Sequence, residues 1–337
     1  MMDVHCIRIH AEAKLIMNKL HHKLTIPVDM LGLRLDQALV KLLPDYSRTQ
    51  IQEWIKDSAV TVNGQIIKTR IRMKGGEKID IQSISKPPLS WEAQAIPLNI
   101  IYEDDELLVI NKPSGLVVHP AAGHQDQTLL NALLYHNPRS KDLPRAGIVH
   151  RLDKDTSGLL VVAKTKLTLI SLYKQLKKRT ISREYQSIVV GNLISGGTID
   201  EPIARHPVHR KRMAVITNGR PAITHYRVIE KYRHHTRLKV QLETGRTHQI
   251  RVHMAYIRHP VVGDATYGGR LFIPQGATPA LRQALQQFRR QALHAYALGC
   301  THPVTQEFMR WEVDLPADMQ ELIKHLKQDS ASGILGE

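Results

Sequence analysis

The sequence predicts an α+β protein of two domains: a small one at residues 26–82, and a larger one at 99–328 built on a mixed, mainly antiparallel sheet flanked by helices. Three observations carry this. Short apolar runs rich in branched residues, such as Leu107-Leu-Val-Ile110 and Leu159-Leu-Val-Val-Ala163, read as buried strands. They alternate with stretches of helical spacing at 128–134, 166–179, 280–291 and 317–327. Between the two blocks, residues 83–98 carry Pro87, Pro88 and Pro97 and read as a linker. Residues 1–25 hold few signals and form an N-terminal extension, in which Met17 is an alternative start, and 329–337 form a tail.

Composition narrows the partner before any motif is read. With 337 residues, 42% of them hydrophobic, the chain can bury a sizeable core, and its net charge of +16 points to a polyanion, with nucleic acid first among the candidates. Cys6 and Cys300 are the only cysteines and lie in no motif, so neither a disulfide framework nor a thiolate metal site is expected. No apolar run approaches the roughly 20 residues a bilayer span needs. A soluble, cytoplasmic, monomeric protein is expected, without a resident metal or cofactor.

In the N-terminal domain, Arg34 to Leu43 places Leu35, Ala38, Leu39, Leu42 and Leu43 on one helical face, and Pro44 stops it. Ser47 with Gln50 forms a capping-box pattern ahead of a second helix, whose apolar stripe is Ile51, Trp54 and Ile55. Val60 to Ile67 alternates on both sides of Asn63-Gly64, the dipeptide of a two-residue hairpin turn. A strand at Lys78-Ile-Asp-Ile81 closes the unit. Gly32-Leu-Arg-Leu-Asp36, Ser47-Arg48 and Val62-Asn-Gly64 resemble the S4 RNA-binding domain. Arg34, Lys41, Arg48, Lys56 and Lys68 are its expected phosphate contacts. Ser58 stands where that family often has Gly, so it must accept the turn that Gly adopts without steric penalty.

In the larger domain, Ile100-Ile-Tyr102 and Leu107 to Ile110 flank the acidic Glu103-Asp-Asp-Glu106 and predict a hairpin with a charged tip. Asn111-Lys-Pro-Ser-Gly115 turns the chain, and Thr128 to Leu134 is helical. Next, Gly147-Ile-Val-His-Arg-Leu-Asp-Lys-Asp-Thr-Ser-Gly158 crowds His150, Arg151, Asp153, Lys154 and Asp155 in front of the Leu159 to Ala163 strand. Taken alone, this stretch is as well described as a polar turn capping a strand. Lys166 to Arg179 predicts a cationic amphipathic helix with Leu169, Leu172, Tyr173 and Leu176 on one face, and Arg183 to Gly191 a strand. Arg205 to Arg212 is the densest basic run; Arg210 and Arg212 in it are assigned to RNA contact, ahead of a hairpin of Met213–Ile216 and Ala222–Ile229 turned at Asn218-Gly219. Leu238 to Leu242 is a strand, followed by a helix opening near Thr247, whose positive end gathers Arg246, His248 and Arg251. Strands at Leu293–Leu298 and Phe308–Val313 alternate with the last two helices.

The chemistry these residues allow is limited. His248 and His253 are five apart and do not share a helix face as paired metal ligands would; there is no phosphate-cradling P-loop and no dinucleotide fingerprint. What remains is carboxylate chemistry at Asp153 or Asp155. A carboxylate held against an arginine stays ionised and can serve as nucleophile or base toward a sugar carbon.

Four separated blocks, His150-Arg-Leu-Asp-Lys-Asp-Thr-Ser-Gly158, Arg183-Glu-Tyr185, Glu243 to His253 and Pro260-Val-Val-Gly-Asp264, are together similar to the RNA pseudouridine synthases of the ribosomal large subunit group. With the S4-like domain, the resemblance spans about residues 25 to 325. It implies that Asp153 is the catalytic aspartate, that Tyr185 stacks on the uracil and is a candidate base for the C5 proton, and that Arg251 pairs with Asp153. It also implies that Arg151 occupies the place of the flipped nucleotide, with His248 a further substrate contact. The implied reaction is isomerisation of uridine to pseudouridine in large subunit (23S) rRNA, in the loop of helix 69, in support of ribosome assembly. The same chemistry on tRNA or another rRNA site, and a non-catalytic ribosome assembly factor, are the alternatives. His150, Lys154 and Asp155 are left without a chemical role.

Overall fold

The computed structural model describes residues 19–44, 46, 48–67, 71–84, 91–120 and 123–333. The chain divides into two compact units, Met1–Ser90 and Trp91–Glu337.

In the first unit, the strands β1 (Lys19–Thr25), β2 (Val60–Val62), β3 (Gln65–Ile66) and β4 (Lys78–Ile84) form a sheet of order β1-β4-β2-β3. Helices α1 (Leu35–Leu42) and α2 (Arg48–Lys56) pack on it. The expected stripes are the core: Leu35, Ala38 and Leu39 with Ile51, Trp54 and Ile55 close over Val60, Val62, Ile79 and Ile81. Burying each large aliphatic side chain contributes about 1.5–3 kcal/mol. Asn63 and Gly64 both have positive φ, 51° and 79°, as a two-residue hairpin turn requires. Ser58 takes φ 60°, the left-handed conformation expected of it. The extension does not reach residue 25: Lys19–Thr25 pairs residue for residue with β4, because its backbone completes an edge that β4 would otherwise leave open. Ser47 and Lys68 lie outside the described residues.

The second unit is organised on a nine-stranded sheet. Its strands are β5 (Ile100–Glu103), β6 (Leu107–Lys112), β7 (Ser157–Ala163), β8 (Ser182–Val190), β9 (Gly197–Asp200), β12 (Ile223–Lys231), β13 (His235–Leu242), β14 (Leu293–Thr301) and β15 (Phe308–Glu312). The order is β5-β6-β7-β14-β8-β13-β12-β9, with β15 on β14, and every pairing is antiparallel except β7 with β14. A separate ribbon pairs β10 (Ile203–Arg205) with β11 (Met213–Val215). The helices are α3 (Leu129–His136), α4 (Lys166–Lys178), α5 (Gln249–Tyr256), α6 (Pro279–Gln287) and α7 (Ala317–Gly333).

The continuous apolar run at β7 follows from burial on both faces, all seven residues being buried. Leu159, Val161 and Ala163 face a cluster containing Leu169 and Leu172 of α4, while Leu160 and Val162 face the main core with Leu129, Leu130 and Leu133 of α3.

Four expectations change. Met213–Val215 does not form a hairpin with the 222–229 segment; it pairs with Ile203–Arg205, while β12 pairs with β9 and β13, because β12 continues the main sheet and leaves β11 to the basic loop. Helix α6 ends at Gln287, since Ala292 is drawn into backbone bonds with Val262 and Ile188. The tail starts later than 329: α7 runs to Gly333, and buried Asp329 accepts the Thr278 N–H at 2.7 Å. Within the linker, Trp91 and Leu98 pack on the main core, and Gln94 and Glu92 bond to Asn131, so this part belongs to the second unit.

Candidate active site

The charged stretch before β7 is held from below by its own backbone. Lys112, a fully buried lysine at the end of β6, donates from Nζ to the carbonyls of Pro113, Leu116 and Lys154 at 2.8, 3.0 and 2.9 Å. Burial pulls its pKa down to about 7, against the fields of Asp155 and Asp153, and three carbonyl acceptors match the three protons of the charged form. Gly115 N–H also reaches the Lys154 carbonyl, Arg290 reaches that of Asp155, and Gln291 bonds Thr156 Oγ1. Lys154 and Asp155 thus contribute main-chain anchors. His150 does the same with its ring: Nε2 accepts the Val161 N–H at 3.2 Å, and burial pushes its pKa down to about 3. Gly158 has φ +116°, and a Cβ there would sit 2.3 Å from the Ala295 carbonyl oxygen, so glycine is required where β7 meets β14.

On this base stands Asp153, 15% exposed, with Oδ2 accepting from Arg251 Nη1 at 2.9 Å. Arg251, 8% exposed, projects from α5 and spans two carboxylates: Nε and Nη2 form a bidentate pair with buried Asp264 at 2.6 and 2.9 Å. Asp264 Oδ1 also accepts the Thr266 and Tyr267 N–H groups. Burial alone would lower the Arg251 pKa, but Asp264 and Asp153 outweigh it and raise it. Burial would likewise raise that of Asp264, but Arg251 and the two backbone donors hold it below the usual carboxylate range. The Tyr267 ring lies 5.1 Å from the Arg251 guanidinium.

Helix α5 begins two residues later than the sequence predicts. His248 takes φ 58°, outside the helix, and Gln249 caps the turn by accepting from Arg246 N–H and Thr244 Oγ1. This conformation directs His248 Nε2 to 3.9 Å from Asp153 Oδ1, while Nδ1 meets Tyr267 Oη at 2.8 Å. Tyr267 Oη also accepts from Met213 N–H at 2.8 Å, which ties the ring to the start of β11. Burial lowers the His248 pKa, with Asp153 opposing.

Asp153, Tyr185, Arg151, His248 and Arg251 line one cavity of about 800 Å³, within the size of ordinary ligand sites. Tyr185, on β8, is 6% exposed, and burial raises the pKa of its hydroxyl, so the side chain is a phenol at neutral pH. Arg151 is exposed at the cavity wall. Arg210 and Arg212 do not line it; they stand exposed on the β10–β11 loop, tied to the site through the Met213–Tyr267 bond. Arg34 and Arg48 lie in the first unit, where both pair with fully buried Asp36 at 3.0 and 2.9 Å. They neutralise a buried charge; their side chains remain 37% and 53% exposed. Burial would raise the Asp36 pKa, but Arg48, Gln52 and Arg34 hold it low.

Several residues around the site have no role in the sequence reading, and of these Arg183 and His119 line the cavity. Asp264 lies in a motif noted there, without a task; Lys112 and Arg183 read as part of a turn and of a strand. His119, with Nε2 buried and unbonded and its pKa pushed down to about 4 by burial, carried no signal.

Comparison with known proteins places the chain in a family. Residues 106–256 match the RNA pseudouridylate synthase family and residues 33–79 the S4 domain. The chain is 53% identical over 305 residues to ribosomal large subunit pseudouridine synthase D of Pasteurella multocida (strain Pm70), covering 90% of this chain and 94% of the relative. It is 52% identical over 306 residues to the protein of that name in Escherichia coli (strain K12), with the same coverage. Among solved structures, human RNA pseudouridylate synthase domain containing 4 superposes with a TM-score of 0.53 at 26% identity, covering 68% of this chain and 93% of that one. The corresponding human domain containing 1 gives 0.51 at 28%, covering 66% and 86%. The chain belongs to the RNA pseudouridine synthase family and carries an S4 domain ahead of its synthase domain.

Proposed function

We propose that this enzyme converts uridine to pseudouridine in large subunit (23S) rRNA, in the loop of helix 69, and thereby supports ribosome assembly in the cytoplasm, acting as a monomer. The observation that carries the reading is Asp153 lining the cavity, its Oδ2 bonded to an arginine that Asp264 locks in place. The target base must leave its stack to reach this cavity, which costs a few kcal/mol and least in a loop. Arg151, exposed at the wall, fills the position the base leaves. Tyr185 stacks on the flipped uracil, and His248 contacts the substrate beside Asp153. The N1–C1′ bond breaks, the base turns, C5 bonds to C1′ and the C5 proton is lost. The S4 domain, with Arg34 and Arg48, and the Arg205 to Arg212 loop supply phosphate contacts that offset unstacking. The high charge of the chain, +16, favours that encounter.

The test is Asp153→Asn, which preserves shape and removes the charge. Tritium release from C5-labelled uridine in rRNA should disappear while RNA affinity stays within about twofold of wild type, well under 1 kcal/mol. Release at the wild-type rate would overturn the assignment. Pseudouridine mapping of rRNA and tRNA from cells lacking the gene identifies the target. A missing modification in tRNA with rRNA intact would replace the rRNA reading with the tRNA one.

A further inference from the structure

Arg183 is a cavity residue that the chemistry above leaves without a task. It lies two residues before Tyr185 on β8, so both side chains leave the strand on the same face. It lines the cavity and is only 7% exposed. Its Nη2 donates to the Glu243 carbonyl at 3.3 Å, Nε has no hydrogen-bond partner, and among the described residues no carboxylate pairs with it. Arg251, in the same cavity, is held by three charge-assisted bonds to two aspartates. A buried guanidinium without a counter-charge is costly to the fold.

The fold nevertheless makes room for it. A Cβ on Gly245 would lie 2.6 Å from Arg183 Nη1, so glycine in the Glu243-Thr-Gly-Arg246 bend leaves the guanidinium its present position, from which a larger residue would displace it. Burial pulls the Arg183 pKa down, and Tyr185 opposes that; the Tyr185 pKa in turn is raised by burial, lowered by Arg183 and raised by Asp153. These three groups share one field, and the uncompensated positive charge in it is that of Arg183.

The substrate supplies a matching negative charge. Whether the Asp153 carboxylate bonds to C1′ or takes the C2′ proton, the electron pair of the N1–C1′ bond leaves with the base. The carboxylate charge is thereby transferred to the uracil and spread over N1, O2 and O4. When C5 then bonds to C1′, the charge returns to the Asp153 carboxylate, and the C5 proton is lost as N1 gains one, so the ring is neutral again. We propose that Arg183 is a catalytic residue that binds the anionic oxygen of the departing uracil, a charge that exists only after N1–C1′ cleavage begins. This rests on the reading of Asp153 and Tyr185 given above. A fixed donor aimed at charge that develops in the transition state is typically worth about 10²–10³ in rate.

The test uses Arg183→Gln and Arg183→Lys in the full-length enzyme with a C5-tritiated 23S rRNA transcript, in single turnover at saturating RNA. The expected result for Arg183→Gln is a rate about 100-fold below wild type with Kd within about twofold, and for Arg183→Lys recovery of at least about tenfold of that loss. The deficit should shrink when the target is 5-fluorouridine, followed by its consumption, because fluorine stabilises the departing anion; a purely structural defect would not respond to the base. A single-turnover rate within about threefold of wild type for Arg183→Gln overturns the proposal. So does a defect confined to Kd with the salt slope reduced by about 0.7–0.9, which marks Arg183 as a ligand of an RNA phosphate. Asp153→Asn run alongside separates the two readings: if it turns over normally, the site assignment fails, whereas an unaffected Arg183→Gln beside an inactive Asp153→Asn removes only the present inference.

Discussion

Asp264→Asn probes the arrangement on which the site depends. The side chain is fully buried and holds Arg251 through two charge-assisted bonds at 2.6 and 2.9 Å. Asparagine keeps one acceptor oxygen, enough for the Thr266 and Tyr267 N–H groups, but turns an NH2 toward a guanidinium that can only donate. One bond of the bidentate pair becomes a donor–donor contact, and Arg251 is left with Asp153 as its one carboxylate partner. Each bond to a charged group is worth about 1.5–3 kcal/mol, and breaking a buried pair by removing one partner typically costs about 3–5 kcal/mol. We therefore expect urea denaturation to show a loss of about 3–5 kcal/mol. The effect on chemistry is separate. With Arg251 no longer fixed, Asp153 is displaced, and a displacement of about 1 Å costs on the order of 100-fold in rate. Single-turnover tritium release should fall by that order while RNA binding persists. A stability change below about 0.5 kcal/mol, the range of an ordinary surface substitution, together with unchanged turnover, would refute the claim that Asp264 positions the catalytic pair.

The remaining predictions concern acid and RNA. His235 and His294, each 1% exposed, and His119 have their pKa values pushed down by burial from 6.5 to about 4, so between those values the unfolded chain binds protons that the folded one does not. Stability is then lost as pH falls through that window, by up to about 1.4 kcal/mol per pH unit for each histidine. The lowered Asp264 carboxyl adds a further loss only below its unfolded value of 3.8. Urea midpoints measured from pH 7 to 4 should decline steadily, and a flat profile would contradict the burial argument. The double variant Arg210→Ala with Arg212→Ala should weaken RNA binding and reduce the slope of log Kd against log salt by about 1.4–1.8, with single-turnover chemistry at saturating RNA unchanged. An unaltered slope would return the β10–β11 loop to plain solvated surface.

Much of this protein was legible before any coordinates, where a local rule decides the outcome. The Leu35 and Ile51 stripes, the Asn63-Gly64 turn, the doubly buried β7 and the cationic helix α4 follow from periodicity and turn chemistry, which act over a few residues. Asp153, Tyr185 and Arg251 were named from motifs, and they do line one cavity. What local rules could not reach is pairing and charge balance between distant segments. The pairing of β11 with β10 depends on β12 already being taken by β9 and β13. The ends of α6 and of the N-terminal extension depend on backbone groups elsewhere that need partners. His248 reaches Asp153 because its residue leaves the helix in a left-handed turn, where a sequence reading places it inside. Arg34 and Arg48 read as free cations until Asp36, buried between them, claims both. The same distinction separates the two arginines of the cavity. In sequence, Arg183 and Arg251 are cations in two motifs, and the resemblance gives a partner, Asp153, to Arg251 alone. Only the tertiary structure places Asp264 against one and, among the described residues, no carboxylate against the other, because a buried charge is defined by what the rest of the chain brings to it.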